Sequence, residues 1–114
     1  MRSLSIQVQP LRSPGLDIEA LSHAFSAVAA HGELVASHTF ERGNDDGPYY
    51  NFTFVTPEAQ KLWGVIKAQV YSAGEFGYHM RRASMAVCSS ESGWDEYLLL
   101  FHFDPEVKVD AFVL

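Results

Sequence analysis

The fold is decided by residues 49–58, which read Tyr49-Tyr50-Asn51-Phe52-Thr53-Phe54-Val55-Thr56-Pro57-Glu58. Aromatic side chains alternate with other residues through the first part, which is the period of a β-strand that buries one face. Thr56 followed by Pro57 is typical of a helix start, because a hydroxyl caps free amides and proline fits the first turn. The stretch therefore predicts a core strand that leads into a helix, with the apolar stripe Ala59, Leu62, Trp63, Ile66, Val70 and Ala73.

The strand and helix periods also organise the rest of the chain. Behind the capping residue Asp17, helical spacing predicts a first helix with the buried residues Ile18, Leu21, Phe25 and Val28. Strand patterns occupy residues 3–9, 34–40, 80–89 and 96–103, and a short edge strand or tail follows at residues 107–113.

The resulting element order is β-α-β-β-α-β-β. A single α+β domain over residues 1–114 is expected, since one core typically occupies about 100 to 150 residues. The order predicts a ferredoxin-like split βαβ sandwich, in which an antiparallel sheet carries two helices on one face. The other face is then open, and exposed apolar surface of that kind is normally covered by a partner or a second subunit.

The last two strands predict a hairpin that turns at Ser92-Gly93. This register places Cys88 opposite Leu98 and Ser84 opposite His102. It turns seven residues towards the core: Ala83, Met85, Val87, Tyr97, Leu99, Phe101 and Phe103. The open face is then expected to carry Asn51, Cys88, Leu98, Leu100 and His102, together with Ser5, Gln7, Thr53 and Ala86.

The chain is acidic, with 14 Asp and Glu against 8 Lys and Arg and a formal net charge of -6. Phosphate backbones select basic surfaces, so nucleic acid is excluded as a direct partner. RNA recognition modules also have an aromatic third strand, but residues 4–9 supply no aromatic side chain for base stacking. The acidic residues after position 90 would steer a cationic partner, or would simply keep the protein soluble.

Cysteine usage and hydropathy predict the compartment. Cys88 is the single cysteine, so no disulfide forms within the chain, which favours a reducing compartment. No stretch is long and apolar enough for a signal peptide or a bilayer span. We therefore expect a cytoplasmic protein that does not contact a membrane.

No motif in the sequence predicts catalysis, a cofactor or a metal ion. Cys88 lies in mid-strand, away from a helix N-terminus that would lower the pKa of its thiol. Ser84, His102 and Asp104 supply the residue types of a triad, but a flat strand offers neither a sharp turn nor oxyanion donors. The five histidines lack ligand spacing, and residues 41–47 lack the alternating ligands of a calcium loop. We assign no catalytic or metal-binding residues.

These properties favour a small acidic protein-binding module, for example an inhibitor or an immunity- or antitoxin-type partner of a basic protein. Such a protein covers a basic groove through charge complementarity. An exposed tryptophan is a common anchor of protein interfaces. The predicted partner-binding residues are Asp45, Asp46, Glu91, Trp94, Asp95 and Glu96.

The second hypothesis is a dimeric α+β barrel, in which two open sheet faces enclose a cavity for a small molecule or for monooxygenase-like catalysis. The dimer or ligand face would comprise Asn51, Cys88, Leu98, Leu100 and His102, with His79 and Tyr49 as further polar groups. The third hypothesis is a subunit of a larger assembly. The fold alone does not choose among them, because such domains host many unrelated functions.

Overall fold

The sheet consists of antiparallel strands, as the element order predicts. The structure is a computed structural model that describes residues 1–72 and 74–112. In this part of the chain five strands form one sheet in the order β2-β3-β1-β4-β5. They are β1 (Arg2–Val8), β2 (Ser37–Asn44), β3 (Pro48–Thr56), β4 (Ser84–Ser90) and β5 (Gly93–Phe101). The predicted α+β class is confirmed.

Three α-helices lie in the described residues: α1 (Ile18–Ala29), α2 (Ala59–Ile66) and α3 (Glu75–Ala83). The Asp17 carboxylate caps α1 as predicted, since it accepts a hydrogen bond from the Ala20 amide at 3.0 Å. A 3-10 turn (Pro10–Arg12) precedes α1, and a π-helical turn (Lys67–Tyr71) extends α2. Ala73, which is predicted on the apolar stripe of the second helix, and Val113 in the predicted tail lie outside the described residues.

The start of α2 differs from the prediction. The helix begins at Ala59 rather than at Pro57. The Thr56 hydroxyl still satisfies a free amide, because its Oγ1 accepts a hydrogen bond from the Glu58 amide at 3.0 Å. The Thr-Pro signal therefore marks the end of β3 correctly and misplaces the first helical residue by two positions.

The third helix is a correction to the prediction. Residues 80–83, predicted as the start of a strand, belong to α3, and β4 begins at Ser84. Two glycines near the end of the predicted second helix have separate roles. Gly74 takes a positive φ of 110° ahead of α3. Gly77 lies inside α3 at a position that needs glycine, because a Cβ there would clash with the Ser72 carbonyl.

The core lies between the helices and one face of the sheet. Leu4, Ile6 and Val8 of β1 are fully buried there. Phe25 of α1 packs on two rings of β3, with ring-centroid distances of 4.4 Å to Phe52 and 5.7 Å to Phe54. The aromatic alternation of residues 49–55 therefore points inward as predicted.

Most of the β4–β5 hairpin faces the opposite way from the prediction, although Phe101 packs against the core as expected. Cys88 pairs with Leu98 as expected, but bulges alter the register on both sides. β4 also pairs with β1, which places Cys88 opposite Leu4 and Ala86 opposite Ile6, on the core face. The prediction of an open face that carries Ala86, Cys88, Leu98 and Leu100 is wrong, because these residues are buried in the core or packed against it.

The two edge strands of the sheet, β5 and β2, differ in what lies beside them. Asp110 lies beside the β5 edge: its amide donates to the Leu99 carbonyl at 2.7 Å, and its carboxylate accepts from the Leu99 amide at 2.9 Å. Phe112 packs against the core cluster beyond it. The described residues after β5 therefore form the predicted tail, which covers one edge, while β2 forms the other.

Candidate functional site

The sheet face that points away from the helices, called the outer face, divides into two halves. Its polar half lies on β1 and β3. The Ser5 and Thr53 hydroxyl oxygens are 3.0 Å apart, and Gln7 lies opposite Asn51. These side chains are half-buried, and their polar groups bond partly to one another. The polar half therefore forms a flat surface of ordinary solvent-facing strand residues.

The apolar half lies on β4 and β5. Met85 pairs with Gln7, and Val87 pairs with both Ser5 and Leu99, so these side chains share the outer face. A shallow depression of about 580 Å³ is lined by Met85, Val87, Trp94, Tyr97, Leu99, His102 and Val107. Trp94 is 48% exposed and Tyr97 is 57% exposed. This surface is the main concentration of exposed aromatic area on the outer face.

Strand β4 turns its small side chains towards the core and its larger apolar side chains outward. The small residues Ala86 and Cys88 point into the core, where each is fully buried. The larger Met85 and Val87 point outward and remain partly exposed. Hydrophobic packing within one chain would favour the reverse arrangement, because larger apolar side chains gain more from burial. Local conflicts of this kind are expected at functional surfaces.

Trp94 lies at the border between the two halves. Its side chain lines a second depression, together with Ser5, Gln7, Asn51, Met85 and Val87. An exposed tryptophan near a turn can either project from the loop tip or fold back onto the hairpin, and the structure shows the second placement. The indole therefore extends the apolar half across the sheet instead of projecting from the turn.

Acidic side chains lie at the turn end of the apolar half. Asp95 and Glu96 are exposed on β5, where they lie between Trp94 and Tyr97 in the sequence. Glu91 in the turn is exposed, with one carboxylate oxygen 3.0 Å from the Met1 amino group and the other 3.9 Å from Arg2. Four predicted partner-binding residues, Glu91, Trp94, Asp95 and Glu96, are thus brought together at one hairpin.

The other two predicted partner-binding residues lie elsewhere. Asp45 and Asp46 are exposed in the β2–β3 loop, where Asp46 takes a positive φ of 57°. Val8 pairs with Tyr50 of β3 and with Ser84 of β4, so this loop is at the Val8 end of the sheet. The β4–β5 turn is at the opposite end. The two acidic groups predicted as one surface are therefore separated by the length of the sheet.

Cys88 has no access to the outer face. Its side chain is fully buried, and the thiol lies 3.4 Å from the Ser89 carbonyl, to which it donates. Burial raises the pKa of the Cys88 thiol, and the nearby Arg2 offsets this rise only in part. A buried neutral thiol is a poor nucleophile. The structure thus corrects the inclusion of Cys88 in a dimer or ligand face.

The remaining polar residues of the second hypothesis are dispersed. Asn51 and His102 do lie on the outer face. His102 is not opposite Ser84, and its Nδ1 accepts a hydrogen bond from the Asp104 amide at 3.0 Å. His79 is buried in α3, on the helix side, which corrects its expected place in a sheet-lined cavity. Tyr49 lines a cleft beside the β2–β3 loop.

Sequence reasoning missed a serine–histidine pair. Ser13 Oγ and His79 Nδ1 are 2.6 Å apart, and His79 Nε2 is 3.9 Å from the Glu75 carboxylate. The serine follows the 3-10 turn and the other two residues lie four apart on α3, so no sequence motif joins them. Ser13 is only 2% exposed, which prevents a substrate from reaching its oxygen. The pair holds the 3-10 turn against α3.

A second buried pair anchors β4. The Ser84 hydroxyl donates to the Met80 carbonyl at 2.6 Å. Tyr71 Oη is 2.6 Å from Ser84 Oγ, and must be the donor, since the single serine proton is already used. Burial raises the pKa of the Tyr71 phenol far above its usual range. Ser84 therefore acts as a structural connector rather than as a member of a catalytic triad.

Within residues 1–72 and 74–112, no group of three His, Cys, Asp or Glu side chains is placed to hold a metal ion. The described helices include none that is long and apolar enough to cross a membrane. No protein-family model matches the sequence, and no curated protein and no solved structure matches it either.

Proposed function

We propose that this chain is a protein-binding module that docks on a basic partner through the apolar half of its outer face and the acidic residues at its turn end. The observation that carries the proposal is the inverted filling of β4, with Met85 and Val87 turned outward and Ala86 and Cys88 turned inward. An interface core needs exposed apolar and aromatic side chains, and Trp94 and Tyr97 supply the residue types that dominate binding energy.

Charge supports a basic partner over a second copy of the chain. Asp95 and Glu96 are exposed beside the aromatic anchors, and the whole chain carries a net charge of -6. A two-fold interface through this hairpin would bring the same carboxylates together from both subunits. Like charges facing each other cost several kcal/mol at an interface, whereas Lys and Arg of a partner would be attracted and steered.

The proposed class is an inhibitor of the immunity or antitoxin type, which acts by covering a basic functional surface. We also infer a ferredoxin-like arrangement, supported by the sheet order β2-β3-β1-β4 with β5 added at the edge. This arrangement carries no function by itself. A reducing compartment such as the cytoplasm is consistent with the single buried thiol.

The test is purification of the tagged chain from its native host, with quantitative mass spectrometry of the proteins bound to matched variants. Asp95→Lys/Glu96→Lys reverses charge at the apolar half, Asp45→Lys/Asp46→Lys reverses it at the β2–β3 loop, and Glu19→Lys/Glu33→Lys makes the same charge change on the helix side. We expect a stoichiometric basic protein that the first variant loses and the third retains. Thermal unfolding controls for the fold.

Two results would contradict the proposal. One is a partner that remains bound to the Asp95→Lys/Glu96→Lys variant, which would place the interface elsewhere. The other is a chain that recovers nothing and runs as a dimer in light scattering, with the dimer broken by Trp94→Ala. That outcome would favour the dimeric barrel, because the apolar half would then be covered by a second copy.

A further inference from the structure

A cleft on the opposite side of the β4–β5 hairpin has the features of a small-molecule site. It lies between α2 with its π-helical turn, the inner side of β5 and the described end of the tail. Its volume is about 740 Å³, within the range of about 300 to 1,000 Å³ that is typical of ligand pockets. The cleft is separate from the outer face, so a ligand bound in it would be independent of the proposed protein interface.

The walls of the cleft are aromatic. Trp63 and Tyr71 meet edge to face with their rings 5.4 Å apart, and Tyr71 and Phe101 follow at 4.8 Å. Phe112 of the tail also lines the cleft. Trp63 and Tyr71 are each less than a tenth exposed, so their orientation is fixed by packing before any ligand arrives. Preformed aromatic walls favour a planar apolar group.

Two cations stand at the rim of the same cleft. The Lys67 ammonium lies 5.9 Å from the Trp63 ring, and Arg81 Nη1 donates to the Tyr71 carbonyl at 3.1 Å. Asp110 also lines the cleft, where its carboxylate accepts a hydrogen bond from the Leu99 amide, and its one negative charge leaves the two cations in excess. In a chain with only 8 basic residues, two at one aromatic cleft give it a local charge opposite to the net charge.

The helix that forms one wall is modified at the cleft. Trp63, Lys67 and Tyr71 all line it at four-residue intervals. In a regular α-helix such a column rotates by about 40° at each step, because a turn has 3.6 residues. The π-helical turn Lys67–Tyr71 is wider and keeps the column on one side. Such turns are rare and are frequently found at functional sites.

We propose that this cleft binds a small planar aromatic anion, such as an aromatic carboxylate or sulfonate. The ring of the ligand lies against Trp63, Tyr71 and Phe112, and its anionic group faces Lys67 and Arg81. The aromatic walls account for the planar ring, and the two cations account for the charge. Both are properties of side chains that pack in this geometry without a ligand.

The probe is 8-anilinonaphthalene-1-sulfonate, compared with the neutral dye N-phenyl-1-naphthylamine, which lacks the sulfonate. Trp94→Phe leaves Trp63 as the single tryptophan, since the chain has two. We expect the sulfonate dye to bind this variant and to accept excitation energy from Trp63. Lys67→Gln and Arg81→Gln should each weaken its binding by about fivefold. Neither change should alter binding of the neutral dye.

Matched controls on the same helices are Lys61→Gln and Arg82→Gln, which remove the same charge outside the cleft. They should leave the affinity for the sulfonate dye unchanged, and circular dichroism checks the fold of every variant. The proposal is overturned if the dye does not bind at about 1 mM, or if the control changes weaken it as much as the cleft changes. Equal affinity for the two dyes would also overturn it, because the cations would then have no role.

Discussion

The two halves of the outer face differ although they belong to one continuous sheet. On β1 and β3 the outward residues include Ser5, Gln7, Asn51 and Thr53, which is the polar exterior expected for a sheet with one solvated face. On β4 and β5 the outward residues include Met85, Val87, Tyr97 and Leu99. The polar side chains of the first half can be hydrogen-bonded by solvent alone. The second half exposes apolar area whose burial would be favourable, so the contrast locates the candidate interface.

The largest expected effect concerns the thiol on the inner side of β4. We expect iodoacetamide to alkylate Cys88 in the native protein at least about a thousandfold more slowly than in urea, because modification requires the core to open. Burial and the raised pKa of the thiol act in the same direction. Mass spectrometry of timed samples measures the rate.

The double variant Cys88→Ser/Val87→Cys gives the matched control, since it moves the thiol by one residue to the outer side. That thiol should react at a rate close to the unfolded one. Similar protection of the two thiols would mean that both sides of β4 are covered, and the contrast between the sides would be lost.

The next effect separates the two halves of the outer face. With the recovered partner, Trp94→Ala and Tyr97→Ala should each cost about 2 kcal/mol or more of binding free energy, as interface anchors do. Ser5→Ala and Thr53→Ala in the polar half should cost under about 1 kcal/mol. Calorimetric titration measures both sets. Equal losses in the two halves would show that the polar half is part of the interface core.

A smaller effect tests the inverted filling of β4. Ala86→Leu should lower the free energy of unfolding by about 1 to 3 kcal/mol, because extra methylenes do not fit the packed inner side. Val87→Leu adds a methylene on the outer side and should change it by no more than about 0.5 kcal/mol. Urea denaturation gives both values. If Val87→Leu proved the more damaging change, the assignment of the two sides would be reversed.

The smallest expected effect is a pH dependence of stability that comes from His38, on the core side of the edge strand β2. His38 stacks on Phe54 with ring centroids 4.4 Å apart, and burial lowers the pKa of its imidazole below 6.5. The unfolded chain therefore binds a proton more readily than the folded one. Stability should fall as the pH drops from about 6.5 towards the lowered folded pKa, and should be restored as the pH rises again.

The control for this pH dependence is His38→Gln, which removes the titrating group and keeps an amide that can donate to the Thr53 carbonyl. Thermal unfolding between pH 7 and pH 5 should show a weaker decline for this variant than for the native chain. A parallel decline in both would assign the acid sensitivity to the carboxylates instead.

Local patterns in the sequence were sufficient to predict which sides of β3 and α1 are buried. The inward side of β3, the Asp17 cap and the buried face of α1 with Leu21, Phe25 and Val28 were all predicted correctly. Each depends on residues within one or two turns of the chain, where the periods of 2 and 3.6 act directly. The residues of one hairpin, Glu91, Trp94, Asp95 and Glu96, were also brought together for this reason.

The side on which β4 faces the core was decided only by tertiary structure. From residues 84–90 alone, Met85 and Val87 are the better core candidates, and the hairpin register is compatible with either orientation. The pairing of β4 with β1, more than 75 positions away, places Ala86 and Cys88 beside Ile6 and Leu4. A one-residue difference in strand register exchanges the two sides of a sheet, and no local period encodes a pairing at that distance.

The same division applies to the candidate sites. The sequence by itself determined the acidic charge, the α+β class and the absence of a catalytic motif, because these depend on composition and short-range spacing. Tertiary structure alone decided that Asp45 and Asp46 lie at the opposite end of the sheet from Trp94, and that Trp63, Lys67 and Arg81 line one cleft. Such groupings arise from long-range packing, which brings together side chains whose separation in the chain carries no signal.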